Sequence, residues 1–230
     1  QAQADLNRLM DGTFSNQEAG MPEGTVHSEL LRRPGKLYVL ASHFHPDHFN
    51  KEVLQWREQR PDIIYIFSKD ILRHRRAQKE DAVWLKKGEE YKDETLSVRA
   101  FGSTDVGVSF LLQASGKKIF HAGDLNNWHW MDESTEAEWK GAEKNFLHEL
   151  DDLYAYTPEV DVAMFPVDPR LGKEYMRGAG QFVTKIKTHI FVPMHFTPEY
   201  AKANAFRDFA EAHGVRFVSL THRGQKIEIE

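Results

Sequence analysis

The chain has 230 residues, 40% of them hydrophobic and 15 of them phenylalanine, enough for a substantial core in a single domain over 1–230. A formal net charge of -5 argues against a nucleic-acid backbone as partner, and no apolar run reaches the roughly 18 residues of a membrane span. Cysteine is absent, which excludes disulfides, thiolate ligands and cysteine nucleophiles together.

The chain is expected to be cytoplasmic. Its start at Gln1 shows neither the basic nor the apolar region of a secretory leader, and it looks processed or incompletely represented at its beginning. Residues 1–35 are polar and broken by Gly12, Gly20, Pro22, Gly24 and Pro34-Gly35, which reads as loop with room for one short helix. Leu37–Ala41 is a buried-strand pattern that runs directly into His43-Phe-His45-Pro-Asp47-His48. Asn50 is placed to cap a helix over 51–60, closed by Pro61. Ile63–Phe67 is again apolar, so the order strand, helix, strand suggests a βαβ unit with the histidines at the C-terminal end of a strand, where α/β folds place their ligands. The basic run Arg73–Arg76 reads as a solvated face.

Leu96–Phe101, Val108–Gln113 and Lys117–Phe120 read as strands, the last two joined by a hairpin at Ser115-Gly116. Thr135 and Glu138 form a capping box, and the helix behind it carries Trp139, Ala142, Phe146, Leu150 and Leu153 on one core-facing stripe. Val160–Phe165 and Ile190–Val192 are short buried strands. Thr197-Pro198 starts a helix that Gly214 stops, and Val215–Leu220 and Gln225–Ile229 close the chain as strands.

Four of the six residues in His43–His48 bind divalent cations. Side chains at i and i+2 of an extended segment point the same way, so His43 and His45 can grip one ion. Pro46 then bends the chain and lets Asp47 and His48 face the same cavity from another angle. Imidazoles and a carboxylate without thiolates suit zinc, iron, manganese or nickel. Two further strands end in candidate ligands: Ile119–Asp124 in a glycine turn and a carboxylate, Phe191–His195 in a histidine. His121 is expected beside the ligands rather than among them. Trp128 and His129 are candidates to wall a substrate pocket, with core packing the competing reading. Asp168 and Arg170 end another buried strand. Arg170 could clamp a phosphate or carboxylate in bidentate fashion, or simply pair with Asp168.

His43-x-His45-x-Asp47-His48, Gly123-Asp124 and the late His195 together resemble the signature of the metallo-β-lactamase-fold hydrolases, in order and approximate spacing from residue 37 to about 197. Phe120–Asp124 and Val192–His195 look closest to the branch with the sugar-phosphate lactonases. The resemblance implies an α+β fold, a four-layer αββα sandwich, with metals at one edge of the paired sheets. It implies that His43 and His45 serve one metal and Asp47, His48 and His195 a second, with Asp124 bridging them. Two departures stand out. The family supplies a third histidine to the first metal, whereas Phe101–Gly107 contains none. Asp105 and Ser103 are the candidates there, and Asp105 is preferred because a carboxylate is the better ligand. Residues 1–36 also show little of the strand pattern that precedes the motif in the family.

The expected function is metal-dependent hydrolysis of a small ester, lactone or phosphoester, with Asp47 or Asp124 orienting the water, and with one or two zinc ions, or manganese or iron. The alternatives are an iron-dependent redox protein of the same fold and a non-catalytic metal-binding protein with a degenerate site. No nucleophile elbow of the G-x-S-x-G type offers a competing mechanism. The expected partner is a small molecule, and oligomeric state is not legible.

Overall fold

The apolar strand segments assemble into two sheets in the computed structural model, which describes residue 26, residues 28–196 and residues 198–229. Residues 1–25 and 27 of the loop expected over 1–35, and the helix start at Thr197, lie outside the described residues. β1 (Tyr38–Ala41), β2 (Ile64–Ser68) and β3 (Val83–Leu85) form a parallel three-stranded sheet in that order. The second sheet has β4 (Glu90–Lys92), β5 (Ser97–Phe101), β6 (Ser109–Ala114), β7 (Lys117–His121), β8 (Glu159–Pro166), β9 (Lys187–Met194) and β10 (Arg216–Phe217). Its order is β10-β9-β8-β7-β6-β5-β4, antiparallel from β4 to β7 and parallel from β7 to β10. The helices are α1 (Ser28–Leu31), α2 (Lys69–Arg73), α3 (Glu136–Tyr156), α4 (Arg177–Lys185), α5 (Tyr200–Asn204) and α6 (Arg207–Ala212).

Side chains alternate across a strand, and the central strands use both faces. Ile119, Val162, Met164 and Val192 face the small sheet and pack with Ile66 and Leu85 between the two sheets. Phe120, Ala163, Phe165 and Phe191 point the other way, onto Phe146, Leu150 and Leu153 of α3 and Phe182 of α4. The outer face of the small sheet buries Tyr65 and Phe67 against Phe49, Val53 and Ile71. The layers therefore run helix, sheet, sheet, helix: the αββα sandwich expected from the motif. Thr135 caps α3 by accepting from the Glu138 amide, and Glu138 reciprocates. Ser115 and Gly116 both adopt positive φ, 51° and 75°, in the turn between β6 and β7.

Three elements differ from expectation. The helix after Asn50 is a 3-10 helix over Lys51–Glu58, and only Val53 is buried along it, so little side-chain packing demands the α-helical period. The helix before Gly214 is two, α5 and α6, broken so that Phe206 turns fully into the core beside Phe191 and Phe217. Strand pairing after Val215 shrinks to β10, and Gln225–Ile229 is not a strand. The Gln225 side chain accepts from the Thr221 amide and donates to the Ser219 carbonyl, closing a loop where a ladder would have continued. Among the described residues no helix is long and apolar enough to cross a membrane.

Phe165 joins both helices to the large sheet, with ring centroids 4.7 Å from Phe182 and 6.1 Å from Phe146, and it is fully buried. Phe165→Ala is expected to cost about 3–5 kcal/mol of stability, read from the shift of the denaturant midpoint at constant slope.

Candidate metal centre

Five chain segments reach the site, each just past the end of a strand. β1 leads into His43–His48, β5 into Asp105, β7 into Asp124, β8 into Asp168 and β9 into His195. Two successive antiparallel pairings make β5 run parallel to β7, so β5, β7, β8 and β9 all deliver their C-terminal ends to one edge. Pro46 sits in a turn closed by the His48 and Phe49 amides donating to the His45 carbonyl at 2.9 and 2.8 Å. Asp70 of α2 accepts the Phe44 amide at 2.9 Å and holds the segment between its first two histidines.

Asp124 is the centre of the arrangement. One carboxylate oxygen lies 3.2 Å from His43 Nε2; the other lies 3.1 Å from His48 Nε2 and 3.3 Å from His195 Nε2. His43, His45, Asp105 and Asp124 each offer a donor atom within 4.8 Å of the others, and Asp47, His48 and His195 form a second such set. All seven residues expected as ligands are thus brought together. Ser103 is not with them in the same way: its hydroxyl accepts the Asp105 amide at 3.3 Å, while Asp105 stands 3.8 Å from His45 Nδ1.

The short approaches to Asp124 are not aligned hydrogen bonds. His43 Nε2 and Asp124 Oδ1 are buried and have no hydrogen-bond partner. Donor atoms about 2.1 Å from a tetrahedral ion lie about 3.4 Å from one another, close to the spacings seen here. Imidazole nitrogens and carboxylate oxygens converging at these distances, buried and unaligned, fit divalent cations between them. Among the described residues the site therefore fits the group its donors suggest.

The far side of each imidazole is also occupied. His43 Nδ1 lies 3.0 Å from the Ser42 hydroxyl, and His195 Nδ1 donates to Asp168 at 2.9 Å, which leaves both Nε2 atoms facing the centre. His195 has φ 61°, a left-handed conformation that turns its ring into the site at a cost of about 1–3 kcal/mol. Burial pushes the Asp124 carboxyl up, but the contacts with His195, His43 and His48 outweigh it and hold the group far below the usual carboxylate range. For His195 burial favours the neutral ring, yet Asp124 and Asp168 raise it to about 9 when no cation shares the site. Burial also opposes ionisation of Asp168, and His195 and Arg170 overcome it, lowering the carboxyl to about 2. Burial lowers His121 to about 4; its neutral Nδ1 accepts the Gly123 amide at 3.1 Å and so fixes the turn before Asp124.

The expected substrate residues separate. Trp128 is half-buried, its indole donates to the Asp124 carbonyl at 2.8 Å, and its ring stands 5.5 Å from that of His195, forming a wall of the site. His129 is turned into the loop: it is 1% exposed, its Nε2 bonds the Glu174 carbonyl and its Nδ1 accepts the Met131 amide. Packing of the loop against α4 wins there over the pocket-wall reading. Asp168 is buried with its oxygens taken by His195 and Arg170, so it bears on the site through His195. Arg170, with its side chain 60% exposed, stands at the mouth.

Sequence reasoning missed the close approach of three segments. A Cβ on Gly107 (φ 75°) would lie 2.0 Å from the Ser42 carbonyl and 2.5 Å from His43 Cβ, and one on Gly123 (φ 54°) would lie 2.9 Å from Ser42 Cβ. Ser42-His43 thus passes between two glycines that admit no side chain. The only signal was the pair of glycines themselves, one in Phe101–Gly107 and one before Asp124. Ser42 and Asp70 gave none. Behind Asp124, Asn127 donates to Glu143 of α3 and Gln181 of α4, at 2.9 and 3.0 Å. Arg177 lowers the Glu143 carboxyl to about 2, with burial opposing.

A family model described as "Beta-lactamase superfamily domain" matches residues 27–196. Among solved structures, Igni18, a metallo hydrolase from Ignicoccus hospitalis, superposes with a TM-score of 0.53 at 16% identity, covering 80% of this chain and 76% of that one. The metallo-β-lactamase fold protein YhfI from Bacillus subtilis gives 0.53 at 11% identity, over 80% and 75%. CmlA β-hydroxylase gives 0.53 at 14%, over 80% of this chain and 43% of that one. No curated protein matches the chain.

Gly107→Ala is expected to destabilise the protein by about 1–3 kcal/mol, because both its φ and its neighbours exclude a Cβ. Thermal unfolding measures the loss, and metal content per chain should fall with it because the displaced atoms belong to Ser42 and His43.

Proposed function

The chain belongs to the β-lactamase superfamily by a match over residues 27–196, and on that premise we propose that it is a metal-dependent hydrolase acting on a small ester, lactone or phosphoester. The observation that carries this reading is Asp124, a buried carboxylate with one oxygen turned to His43 and the other to His48 and His195. In this reading His43, His45 and Asp105 would hold one ion and Asp47, His48 and His195 another, with Asp124 facing both groups. Divalent ions there would lower the pKa of water from about 15.7 toward about 7 and polarise a substrate oxygen.

The chain's own residues supply the rest. Asp124 stays anionic at neutral pH, since its imidazole neighbours hold its proton off. Asp47, with its side chain 47% exposed and 3.5 Å from His48, faces the mouth and can take the proton of the attacking water. As the water oxygen bonds to carbon or phosphorus and the ester bond breaks, that proton passes to the leaving oxygen. Trp128 walls the cavity against water beside His195. Arg170 can offer a donor to a substrate oxygen at the exposed mouth.

The likeness in fold to a β-hydroxylase favours one second reading, iron-dependent oxidation of a small molecule. Metal analysis of protein prepared without added metal separates the two. Bound zinc or manganese, hydrolysis of a model ester or phosphoester, and its loss on chelation are expected. His48→Ala should lower metal content and abolish the activity. Stoichiometric iron without any hydrolysis would sink the hydrolase reading.

A further inference from the structure

We propose that Asp105 makes the first ligand group match the second in donor type, and that one kind of ion fills both in order, the His195 group before the Asp105 group. The proposal rests on the metal-centre reading above and deepens it. His43, His45 and Asp105 present two imidazoles and a carboxylate; so do Asp47, His48 and His195. Asp124 adds one oxygen to each group, 3.2 Å from His43 on one side and 3.1 Å from His48 on the other. Each subsite therefore offers two nitrogens and two oxygens. A third histidine in place of Asp105 would have made the first group richer in nitrogen and more selective for zinc over manganese. With the carboxylate there, donor chemistry gives the two groups the same ranking of ions.

Equal donors do not mean equal affinity, because the supports differ. His195 is backed by Asp168, a buried carboxylate whose oxygens both accept from Arg170 Nε at 3.0 Å. Among the described residues, the group behind His43 is the neutral hydroxyl of Ser42. A charged acceptor makes an imidazole a stronger base and ligand than a hydroxyl does. Exposure separates the groups only at one imidazole. Each group carries one half-exposed carboxylate, Asp105 at 46% and Asp47 at 47%, and His43, His48 and His195 are all well covered, whereas His45 is 37% exposed. Ordering the exposed His45 side chain costs conformational entropy on binding. The loop that carries Asp105 is tied to Asp124's loop through Thr104, whose hydroxyl accepts the Asn126 amide at 3.0 Å and donates to the Asn126 carbonyl, and to Ser42 through the Val108 amide at 3.0 Å. The Asp105 subsite is thus preformed, but its imidazoles have the weaker backing, and it fills second.

The test titrates the metal-free full chain with zinc and, separately, with manganese by calorimetry, and counts ions retained after gel filtration. Two binding steps are expected with each ion, in the same order. Asp105→Ala, at an exposed position where folding is checked by thermal melt, should delete the weaker step and leave the tighter one. Asp168→Asn should weaken the tighter step about 10–100-fold. Asp105→His should keep two steps and raise the preference for zinc at the weaker step alone. A chain with both steps intact in Asp105→Ala, or one that loses the tighter step instead, overturns the proposal while leaving metal binding standing. A chain that takes up neither ion overturns the metal-centre reading and the filling order with it.

Discussion

The structure turns on a buried anion. Asp124 is 5% exposed, and an ionised carboxylate in that position costs several kcal/mol unless charge and dipoles meet it. Three imidazoles approach it within 3.1–3.3 Å, yet one of its oxygens has no hydrogen bond. A carboxylate so surrounded and still unsatisfied is consistent with cations completing its environment. The neighbouring demands follow from it. His121 must stay neutral to accept the Gly123 amide, and burial keeps it so. Gly107 and Gly123 must lack side chains, because Ser42-His43 occupies the space between them.

The sandwich serves this requirement by geometry. Parallel strands end together, so one edge of the large sheet gathers Asp124, Asp168 and His195 from three adjacent strands. The antiparallel meander from β5 to β7 reverses direction twice and brings Asp105 to the same edge. The small sheet adds the His43–His48 segment from β1. Behind these, a second ring of groups aims the side chains of the cluster: Ser42 for His43, Asp168 for His195, Asp70 for the Phe44 amide. The aromatic layer of Phe146, Phe165, Phe182 and Phe191 makes the platform rigid, since close-packed rings leave the strand ends little freedom.

Much of this was legible without coordinates. Continuous apolar runs marked β1, β2, β8 and β9, the Thr135-Glu138 pair marked the start of α3, and Ser115-Gly116 marked the hairpin. These are local signals, carried by propensity and by residues a few positions apart. Where packing decided, pattern failed: the segment after Asn50 became a 3-10 helix, Phe206 broke a helix to reach the core, and Gln225 folded back on Ser219. His129 looked like a pocket wall beside Trp128, but the loop turned it onto the Glu174 carbonyl.

The sequence by itself determined the donor types on offer and their main cluster, because His43, His45, Asp47 and His48 are neighbours in the chain. It also determined that this chain offers no thiolate. Tertiary structure decided what distance along the chain conceals. Asp105 stands beside His45 across 60 residues of chain because β5 and β1 end at one edge, which only sheet topology can arrange. Asp168 supports His195 rather than meeting a substrate because β8 and β9 are adjacent and in register. The same topology turned Asp124 from a plausible turn residue into the shared centre of the site.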